Sequence, residues 1–123
     1  AYDWSYASIG ALKAGATTRD ISLKLASAKE AWGSDVEDHA AANLCGHGLG
    51  LAEYYPPVIS RIWSLDHPIE IKPGMVFALE TQHGKTHRYG VRIEEMLIVH
   101  DDDDHVEIIS NFPVKEITAV EVM

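Results

Sequence analysis

Apolar residues at the start of the chain recur with the spacing of an α-helix. The first stripe consists of Tyr2, Tyr6, Ile9 and Leu12, which are separated by four, three and three positions. This spacing places the four side chains on one face of a helix. Because glycine readily adopts the left-handed backbone conformation that ends helices, we expect Gly15 to cap this one.

A second helical stripe follows directly. It consists of Ile21, Leu25, Ala28 and Trp32. Thr17 and Asp20 have the spacing of a capping box, an arrangement that satisfies backbone N–H groups at the start of a helix. Gly33 and Ser34 end the stripe. The pattern therefore predicts two N-terminal amphipathic helices within residues 1–33, each with one apolar face to cover.

After about residue 44 the pattern changes to segments rich in β-branched and apolar residues. Three such segments predict strands: Met75–Thr81, Gly90–Val99 and His105–Ser110. Lys72–Gly74 predicts a turn before the first strand, and Asp101–Asp104 predicts a hairpin loop between the last two. Helices followed by an antiparallel set of strands indicate the α+β class. The chain shows no linker, repeat or second domain, so we expect one domain.

Composition narrows the classes of function. The 123 residues are 46% hydrophobic and 24% charged, as in ordinary globular domains. A formal net charge of −9 argues against binding to nucleic acid. No apolar run approaches the roughly 18 residues that span a membrane, and the N-terminus lacks the features of a signal peptide. Cys45 is the only cysteine, so no internal disulfide forms and a reducing, cytoplasmic compartment is expected.

Two carboxylates fall on predicted strands in apolar surroundings. The first predicted strand is apolar on both faces apart from Glu80. A buried carboxylate is unfavourable unless it pairs with a cation or binds a metal. The second predicted strand reads as central in the sheet and carries Glu94 on the same face as Arg92, whereas Glu95 points to the opposite face. Glu80 and Glu94 are therefore candidate ligands.

The third candidate ligand is His47, which lies in a predicted glycine-rich bend between Gly46 and Gly48. Glycine permits unusual backbone angles and lets other groups approach closely. One imidazole and two carboxylates suit a divalent metal such as Mn, Co, Fe or Zn. The separations are long, 33 residues from His47 to Glu80 and 14 from Glu80 to Glu94, so nothing local ties the three together.

Each candidate also has a structural interpretation. His47 suits a turn in which its ring bonds to the backbone. Glu80 suits a strand end that faces water, and Glu94 suits an ion pair with Arg92 or with a lysine on a neighbouring strand. The aspartates of Asp101–Asp104 are typical of a solvated turn.

Three motifs, taken in order, resemble the pita-bread metallopeptidase family, which includes methionine aminopeptidase, aminopeptidase P, prolidase and creatinase. They are "GHGLGL" at Gly46–Leu51, "KPGMVFALE" at Lys72–Glu80 and "GVRIEEMLIV" at Gly90–Val99. Residues Ala11–Ile21 resemble the family's helix–turn–helix element, with Ala14 in place of its usual proline. The resemblance implies a curved antiparallel sheet with the two N-terminal amphipathic helices packed on it.

The resemblance also implies a site for two divalent metal ions in the intact domain, Mn, Co, Fe or Zn, with His47, Glu80 and Glu94 as ligands. Such ions activate water and polarise the scissile carbonyl. The family's other two ligands are aspartates on strands that precede the first helix, and no segment here resembles those strands. We therefore expect residues 1–123 to form a single partial catalytic domain, with helices at 1–33 and the ligand-bearing sheet at 45–123.

The function that the resemblance implies is a metal-dependent hydrolase of the Xaa-Pro peptidase or aminopeptidase type, acting on a small peptide or amino-acid-like substrate. Tyr54 and Tyr55 stand where such enzymes carry a substrate-binding histidine, and with Arg92 they are expected to line the substrate pocket. The stretch Glu53–Pro68 resembles a subgroup that contains dimethylsulfoniopropionate lyases, so elimination is an alternative. A non-catalytic binding module of the same fold is another. An exposed sheet edge predicts a homodimer.

Overall fold

The chain folds into one antiparallel sheet with short helices packed against it. The computed structural model describes residues 1–37, 45–85, 87–101 and 106–116. Within these ranges the elements are α1 Tyr2–Ile9, α2 Thr18–Ser22, α3 Ala28–Trp32, β1 Gly46–Gly48, β2 Tyr55–Ile59, α4 Trp63–Asp66, β3 Val76–Lys85, β4 Tyr89–Val99 and β5 Val106–Ile108. The sheet order is β2-β1-β3-β4-β5, with every pairing antiparallel. The α+β class is confirmed.

The first helix is shorter than its apolar stripe predicted. Helix α1 ends at Ile9, and the C-cap residue Gly10 has an ordinary right-handed backbone with φ −63°. Gly15 does adopt a left-handed backbone with φ 82°, but it lies in a later turn and donates its N–H to the Ile71 carbonyl. The prediction that Gly15 caps the helix is therefore wrong. Leu12 lies beyond the helix and still reaches the core, which explains why the stripe continued.

The second predicted helix is two helices. Thr17 and Asp20 form the predicted capping box at the start of α2, and Gly33 ends α3 with a left-handed φ of 73°. Between them, Ser27 and Glu30 form a second capping box that starts α3. Because a capping residue has a non-helical backbone, Ser27 separates the two helices even though the apolar stripe runs through both.

Arg61 stabilises the break between α2 and α3. Its Nη1 donates to the carbonyls of Ser22, the last residue of α2, and of Leu25, in the segment between the two helices, at 3.3 and 3.2 Å. Its Nε pairs with Glu37, whose carboxylate also accepts the N–H of Ala28 at the start of α3. These contacts come from residues distant in sequence. The local signal for the break is the spacing of Ser27 and Glu30, which the continuous apolar stripe outweighed.

The core lies between the helices and one face of the sheet, here called the helix face. Phe77 and Leu79 of β3 and Leu97 of β4 are completely buried on it. Helix α1 packs against β3 and β4, and α3 packs against β3. On the opposite face of β3, Ala78 and Glu80 are also buried. The prediction that this strand is buried on both sides is confirmed.

The predicted turns agree with the structure where it describes them, whereas β3 extends to Lys85, four residues beyond the predicted end at Thr81. Gly74 has a φ of 81°, and the Met75 N–H donates to the Lys72 carbonyl, so the predicted Lys72–Gly74 turn is confirmed. Asp101 lies in a bend, and the rest of the predicted hairpin loop falls outside the described residues. No helix in the described ranges is long and apolar enough to cross a membrane.

Two strands were not predicted. Strand β1 has only three residues, and β2 begins with Tyr55 followed by Pro56 and Pro57. Proline cannot donate a ladder hydrogen bond, so it is found mainly on edge strands. Strand β2 is the edge of the described sheet, beside β1. Pro56 and Pro57 are compatible with this outer position.

Strand β4 is only partly central. Its residues Leu97–Val99 pair with β5, whereas the ten registered pairs with β3 extend back to Tyr89. Among the described residues, the stretch 89–95 therefore has a strand neighbour on one side only. Glu94 lies in this stretch, close to an open edge.

Candidate metal centre

Three strands place the predicted ligands on one face of the sheet. His47 of β1 is registered opposite Ala78 of β3, and Glu80 of β3 is registered opposite Glu94 of β4. Residues directly opposite each other, and residues two apart on one strand, share a face. We call the face that carries His47, Glu80 and Glu94 the site face.

The glycines beside His47 serve close packing of strands. Residues Gly46–Gly48 form strand β1, so the predicted bend is wrong. A Cβ on Gly48 would lie 2.6 Å from the Pro56 carbonyl oxygen, and one on Gly46 would lie 3.0 Å from that of Ala78. The backbones on both sides therefore leave no room for a side chain at either position. The register of β1 with β2 also shifts between His47 and Gly48, and such irregularities re-aim the neighbouring side chain.

The imidazole of His47 is buried and oriented by the backbone. Its Nδ1 lies 3.0 Å from the carbonyl oxygen of Gly48. A carbonyl oxygen can only accept, so Nδ1 carries the proton and donates it. In the neutral ring this leaves the lone pair on Nε2, which lies 3.8 Å from Glu80 Oε1. Metal-binding histidines are typically held in this way, with one ring nitrogen bonded to the protein and the other available.

Glu80 is a buried carboxylate with an unsatisfied oxygen. Only 5% of the residue is exposed. Burial raises the pKa of its carboxyl, and Glu94 raises it further, while Arg92 and His47 act in the opposite direction. Arg92 Nη1 lies 2.9 Å from Glu80 Oε2, yet this oxygen accepts no well-aligned hydrogen bond from any residue that the structure describes. The site thus offers a desolvated anionic oxygen to a cation.

Glu94 faces water beside Glu80. It is exposed, and its position opposite Glu80 puts two carboxylates side by side on the site face. Like charges in this arrangement are destabilising unless a cation lies between or near them. Arg92, which the sequence offered as a partner of Glu94, forms its ion pair with Glu80.

The residues fit a divalent cation in their donor types and in part of their geometry. Nitrogen from His47 and oxygen from Glu80 and Glu94 suit Mn, Co, Fe or Zn. His47 and Glu80 are near enough to share an ion after small movements. In the part of the chain that the structure describes, however, no three acidic, histidine or cysteine side chains converge closely enough to hold one. The structure brings two candidates together and places the third beside them.

An open cleft lies over these residues. Its volume is about 210 Å³, and its walls include Tyr54, Arg92, Met96, Leu49 and Glu53 besides the three candidate ligands. The Tyr54 ring lies 4.4 Å from the His47 ring, centroid to centroid. Two predicted pocket residues, Tyr54 and Arg92, thus line the cleft.

The third predicted pocket residue, Tyr55, is placed differently. Its ring packs over Gly50, where an added Cβ would lie 3.1 Å from the ring, and it is not among the residues that line the cleft. Met96 does line it, and strand alternation from Glu94 was a sufficient signal to find this residue.

A further carboxylate, Glu95, was not singled out as a functional or structural residue. It is 2% exposed on the helix face. The Tyr6 hydroxyl donates to its Oε1 at 3.1 Å, and the Ser110 hydroxyl donates to its Oε2. Burial and the nearby Glu95 raise the pKa of Tyr6. Strand alternation placed Glu95 on the apolar face of its strand. A buried carboxylate needs hydrogen-bond donors, and this requirement was the signal that could have identified its structural role.

Comparison with known protein families decides which class of protein carries this arrangement. The family model of metallopeptidase family M24 matches residues 1–101. The chain belongs to this family. The match covers all three candidate ligands and both helical segments, so the family resemblance seen in the sequence is confirmed.

Solved structures of a dipeptidase, a prolidase and a methionine aminopeptidase share the fold at low identity. The dipeptidase PepE from Mycobacterium ulcerans has a TM-score of 0.67 and 23% identity, over 90% of this chain and 28% of that one. The prolidase from Pyrococcus furiosus has a TM-score of 0.66 and 21% identity, over 90% and 30%. The methionine aminopeptidase from Rickettsia prowazekii has a TM-score of 0.57 and 19% identity, over 87% and 48%.

These similarities establish the pita-bread fold. The chain spans between 28% and 48% of the length of the three proteins. A search of the curated proteins finds no match. Family membership supports a peptidase-type hydrolase and the use of divalent metal.

Proposed function

We propose that this chain forms the ligand-bearing part of a metal-dependent hydrolase domain of the Xaa-Pro peptidase or aminopeptidase type. The observation that carries the proposal is the buried carboxylate of Glu80, which faces His47 Nε2 and lies opposite Glu94. A buried charge with an unsatisfied oxygen is unfavourable in a purely structural strand. A catalytic cation would compensate it. The neighbours named prolidase and X-Pro aminopeptidase support the substrate class.

His47, Glu80 and Glu94 would hold divalent metal, with Mn, Co, Fe and Zn all suited to these donors. In the intact domain the family resemblance implies two ions and two aspartate ligands from other strands. Bound divalent ions supply Lewis-acid activation of water and of the scissile carbonyl. The chain's own contribution is to orient the imidazole through Gly48 and to hold the carboxylates in a partly dry cleft.

The cleft suits a small peptide or amino-acid-like substrate. Tyr54 offers an aromatic wall beside His47, and Arg92 is a half-exposed cation at the same opening. An arginine in this position suits a substrate carboxylate, since its planar guanidinium binds carboxylates with two parallel hydrogen bonds. An aromatic wall is suited to a proline ring or another apolar side chain.

We propose that residues 1–123 form a single partial catalytic domain, because the chain covers less than half of the related enzymes. Three ligands leave the two glutamates poorly neutralised, so this chain alone is expected to bind metal weakly and to lack peptidase activity. Titration calorimetry with Mn²⁺ tests this. Weak binding that is lost in Glu80→Gln is expected, whereas two tight sites per chain would refute the partial site. Binding unchanged in Glu80→Gln would refute the ligand assignment.

A lyase on the same scaffold is the second candidate. Tyr54 stands where Xaa-Pro enzymes carry a substrate-binding histidine, and its ring packs beside His47. A phenol there is a different proton donor and acceptor from an imidazole. Parallel assays of the longer protein with Xaa-Pro dipeptides and with dimethylsulfoniopropionate separate the two chemistries. Turnover of the dipeptides alone supports hydrolysis.

The third candidate is a non-catalytic pita-bread module. The retained imidazole and carboxylates argue against it, because a binding module has no need of a buried glutamate, such as Glu80, with an oxygen that accepts no well-aligned hydrogen bond from the described residues. Metal analysis of the purified longer protein after supplementation tests it. Metal well below one equivalent would favour the non-catalytic module.

We also propose a homodimer and a cytoplasmic location. Among the described residues, β4 has an open edge at 89–95, and Val91 and Phe112 near it are 50% and 71% exposed. A second copy would cover these apolar side chains. Sedimentation showing a monomer would contradict the dimer. The cytoplasmic location rests on the single cysteine, and fractionation of cells tests it.

A further inference from the structure

Arg92 lies where a metal ion would compensate Glu80. It shares the site face with Glu94, two residues along β4, and it is registered opposite Gln82 of β3. Its Nη1 lies 2.9 Å from Glu80 Oε2. On the other side of the carboxylate, His47 Nε2 lies 3.8 Å from Oε1. The Glu80 carboxylate therefore lies between an imidazole and a guanidinium.

The contact between Arg92 and Glu80 is one of charge more than of aligned hydrogen bonding. The short distance satisfies an ion pair, but Oε2 accepts no well-aligned hydrogen bond within the described ranges. Arginine normally binds a carboxylate with two parallel bonds when it is built to stay there. Here the guanidinium of Arg92 compensates the charge of Glu80 without forming the two parallel hydrogen bonds.

Arg92 is also free to leave. Its side chain is 52% exposed, whereas that of Glu80 is 5% exposed. A departing guanidinium regains hydration easily, but the buried carboxylate then needs another cation. Because of this asymmetry, displacing the Arg92 guanidinium by another cation costs little free energy.

We propose that Arg92 is an internal counterion that occupies Glu80 in the metal-free chain and competes with a divalent cation for that carboxylate. This inference rests on the proposed metal site. It explains why the three candidate ligands do not converge here, since Glu80 is turned toward Arg92. Metal binding then requires exchange of one cation for the other, and Arg92 becomes available to the cleft once the exchange has occurred.

The test is titration calorimetry of the chain with MnCl₂ at pH 7.5. Arg92→Gln removes the competing charge, so it is expected to bind Mn²⁺ about twofold to fivefold more tightly, the range expected for one partly exposed ion pair. Arg92→Met removes the same charge and keeps the apolar stem, and it is expected to behave alike. Arg88→Gln is the matched control. Arg88 is exposed in the turn before β4, and its loss is expected to change affinity less than twofold.

A second measurement uses the unaltered chain. Nitrogen NMR of the arginine side chains during titration with Zn²⁺ is expected to show the Nε–H signal of Arg92 shifting, with Arg88 unchanged. Unfolding temperatures add an independent readout. Without metal, Arg92→Gln is expected to unfold at a lower temperature, and Mn²⁺ is expected to raise that temperature more than it does for the unaltered chain.

The outcomes separate this proposal from the metal site itself. Mn²⁺ binding that is unchanged or weaker in Arg92→Gln and Arg92→Met overturns the counterion role and leaves the site intact. Binding absent from every variant overturns both. If both variants fail to fold, an unmoved Arg92 signal on Zn²⁺ binding overturns the counterion role, and a shifted signal supports it.

Discussion

The two faces of the sheet treat neighbouring glutamates in opposite ways. Glu95, on the helix face, is buried and accepts hydrogen bonds from Tyr6 and Ser110. Glu94, on the site face, is exposed beside the carboxylate of Glu80. One residue step along β4 therefore separates a satisfied structural carboxylate from one that is set against a like charge.

The difference shows which face of the sheet carries a buried carboxylate without a full set of hydrogen bonds. On the helix face the buried carboxylate of Glu95 follows the rule that buried polar groups are paired, and the described atoms there that lack a hydrogen bond, Ser5 Oγ and His83 Nδ1, belong to a hydroxyl and a ring. On the site face, among the described residues, the buried atom without a well-aligned hydrogen bond belongs to the carboxylate of Glu80, and a second negative charge lies opposite it. Local departures of this kind concentrate at functional sites, because only a ligand or cation makes them favourable.

The largest expected change in the free energy of unfolding comes from a substitution in the core. Phe77→Ala on the helix face is expected to lower the free energy of unfolding by about 3–5 kcal/mol, because Phe77 is completely buried. Met96→Ala on the site face is the matched control, and about 1 kcal/mol or less is expected because Met96 is 41% exposed. Urea denaturation measures both. Similar losses for the two variants would contradict the assignment of the faces.

The next effect compares the adjacent glutamates. Glu95→Ala leaves two partly buried hydroxyl groups without their acceptor, so a loss of about 1–3 kcal/mol is expected. Glu94→Ala removes a like charge from Glu80, so stability is expected to stay within about 0.5 kcal/mol or to rise. Thermal unfolding of the two variants measures this difference in stability. A greater loss from Glu94→Ala than from Glu95→Ala would reverse the proposed roles.

A third prediction concerns the strand that carries His47. Gly48→Ala places a Cβ 2.6 Å from the Pro56 carbonyl oxygen, and the expected loss is about 1–3 kcal/mol. Gly90→Ala is the control, because its added Cβ meets nothing within 4 Å. Chemical denaturation of both variants is the measurement. A Gly48→Ala variant as stable as the Gly90→Ala variant would show that close packing does not require glycine there.

The smallest effect is the pH dependence of Glu80. Because its pKa is raised in the folded chain, the folded state holds this proton more tightly than the unfolded state. Stability from this group is present below the usual glutamate range and is lost as pH rises through the raised pKa. Glu80→Gln is expected to match the unaltered chain near pH 4 and to exceed it at pH 8, by less than about 1 kcal/mol. A larger advantage of the variant at pH 4 would contradict the sign.

Local sequence predicted the parts of the fold that local chemistry determines. The capping box at Thr17, the left-handed Gly33 and the turn at Gly74 follow from single residues and their near neighbours. The split between α2 and α3 depends on Arg61, and β2 depends on its place at the sheet edge. Neither is visible from local periodicity.

The candidate site shows the same division. Strand alternation placed Glu80 and Glu94 on definite faces, and the composition of the motif singled out His47. The register that sets Glu80 opposite Glu94, and the ion pair between Arg92 and Glu80, depend on the pairing of distant strands. The role of glycine beside His47 also depends on that pairing, because the crowding comes from β2 and β3.

The central claim is that His47, Glu80 and Glu94 share one cation position. Anomalous diffraction at the manganese edge, from crystals of the chain saturated with Mn²⁺, tests it most directly. A shared site gives a peak about 2.0–2.3 Å from His47 Nε2 and from an oxygen of Glu80, with Glu94 in the same coordination shell. A peak held only by exposed carboxylates elsewhere, with none beside His47 and Glu80, would contradict it.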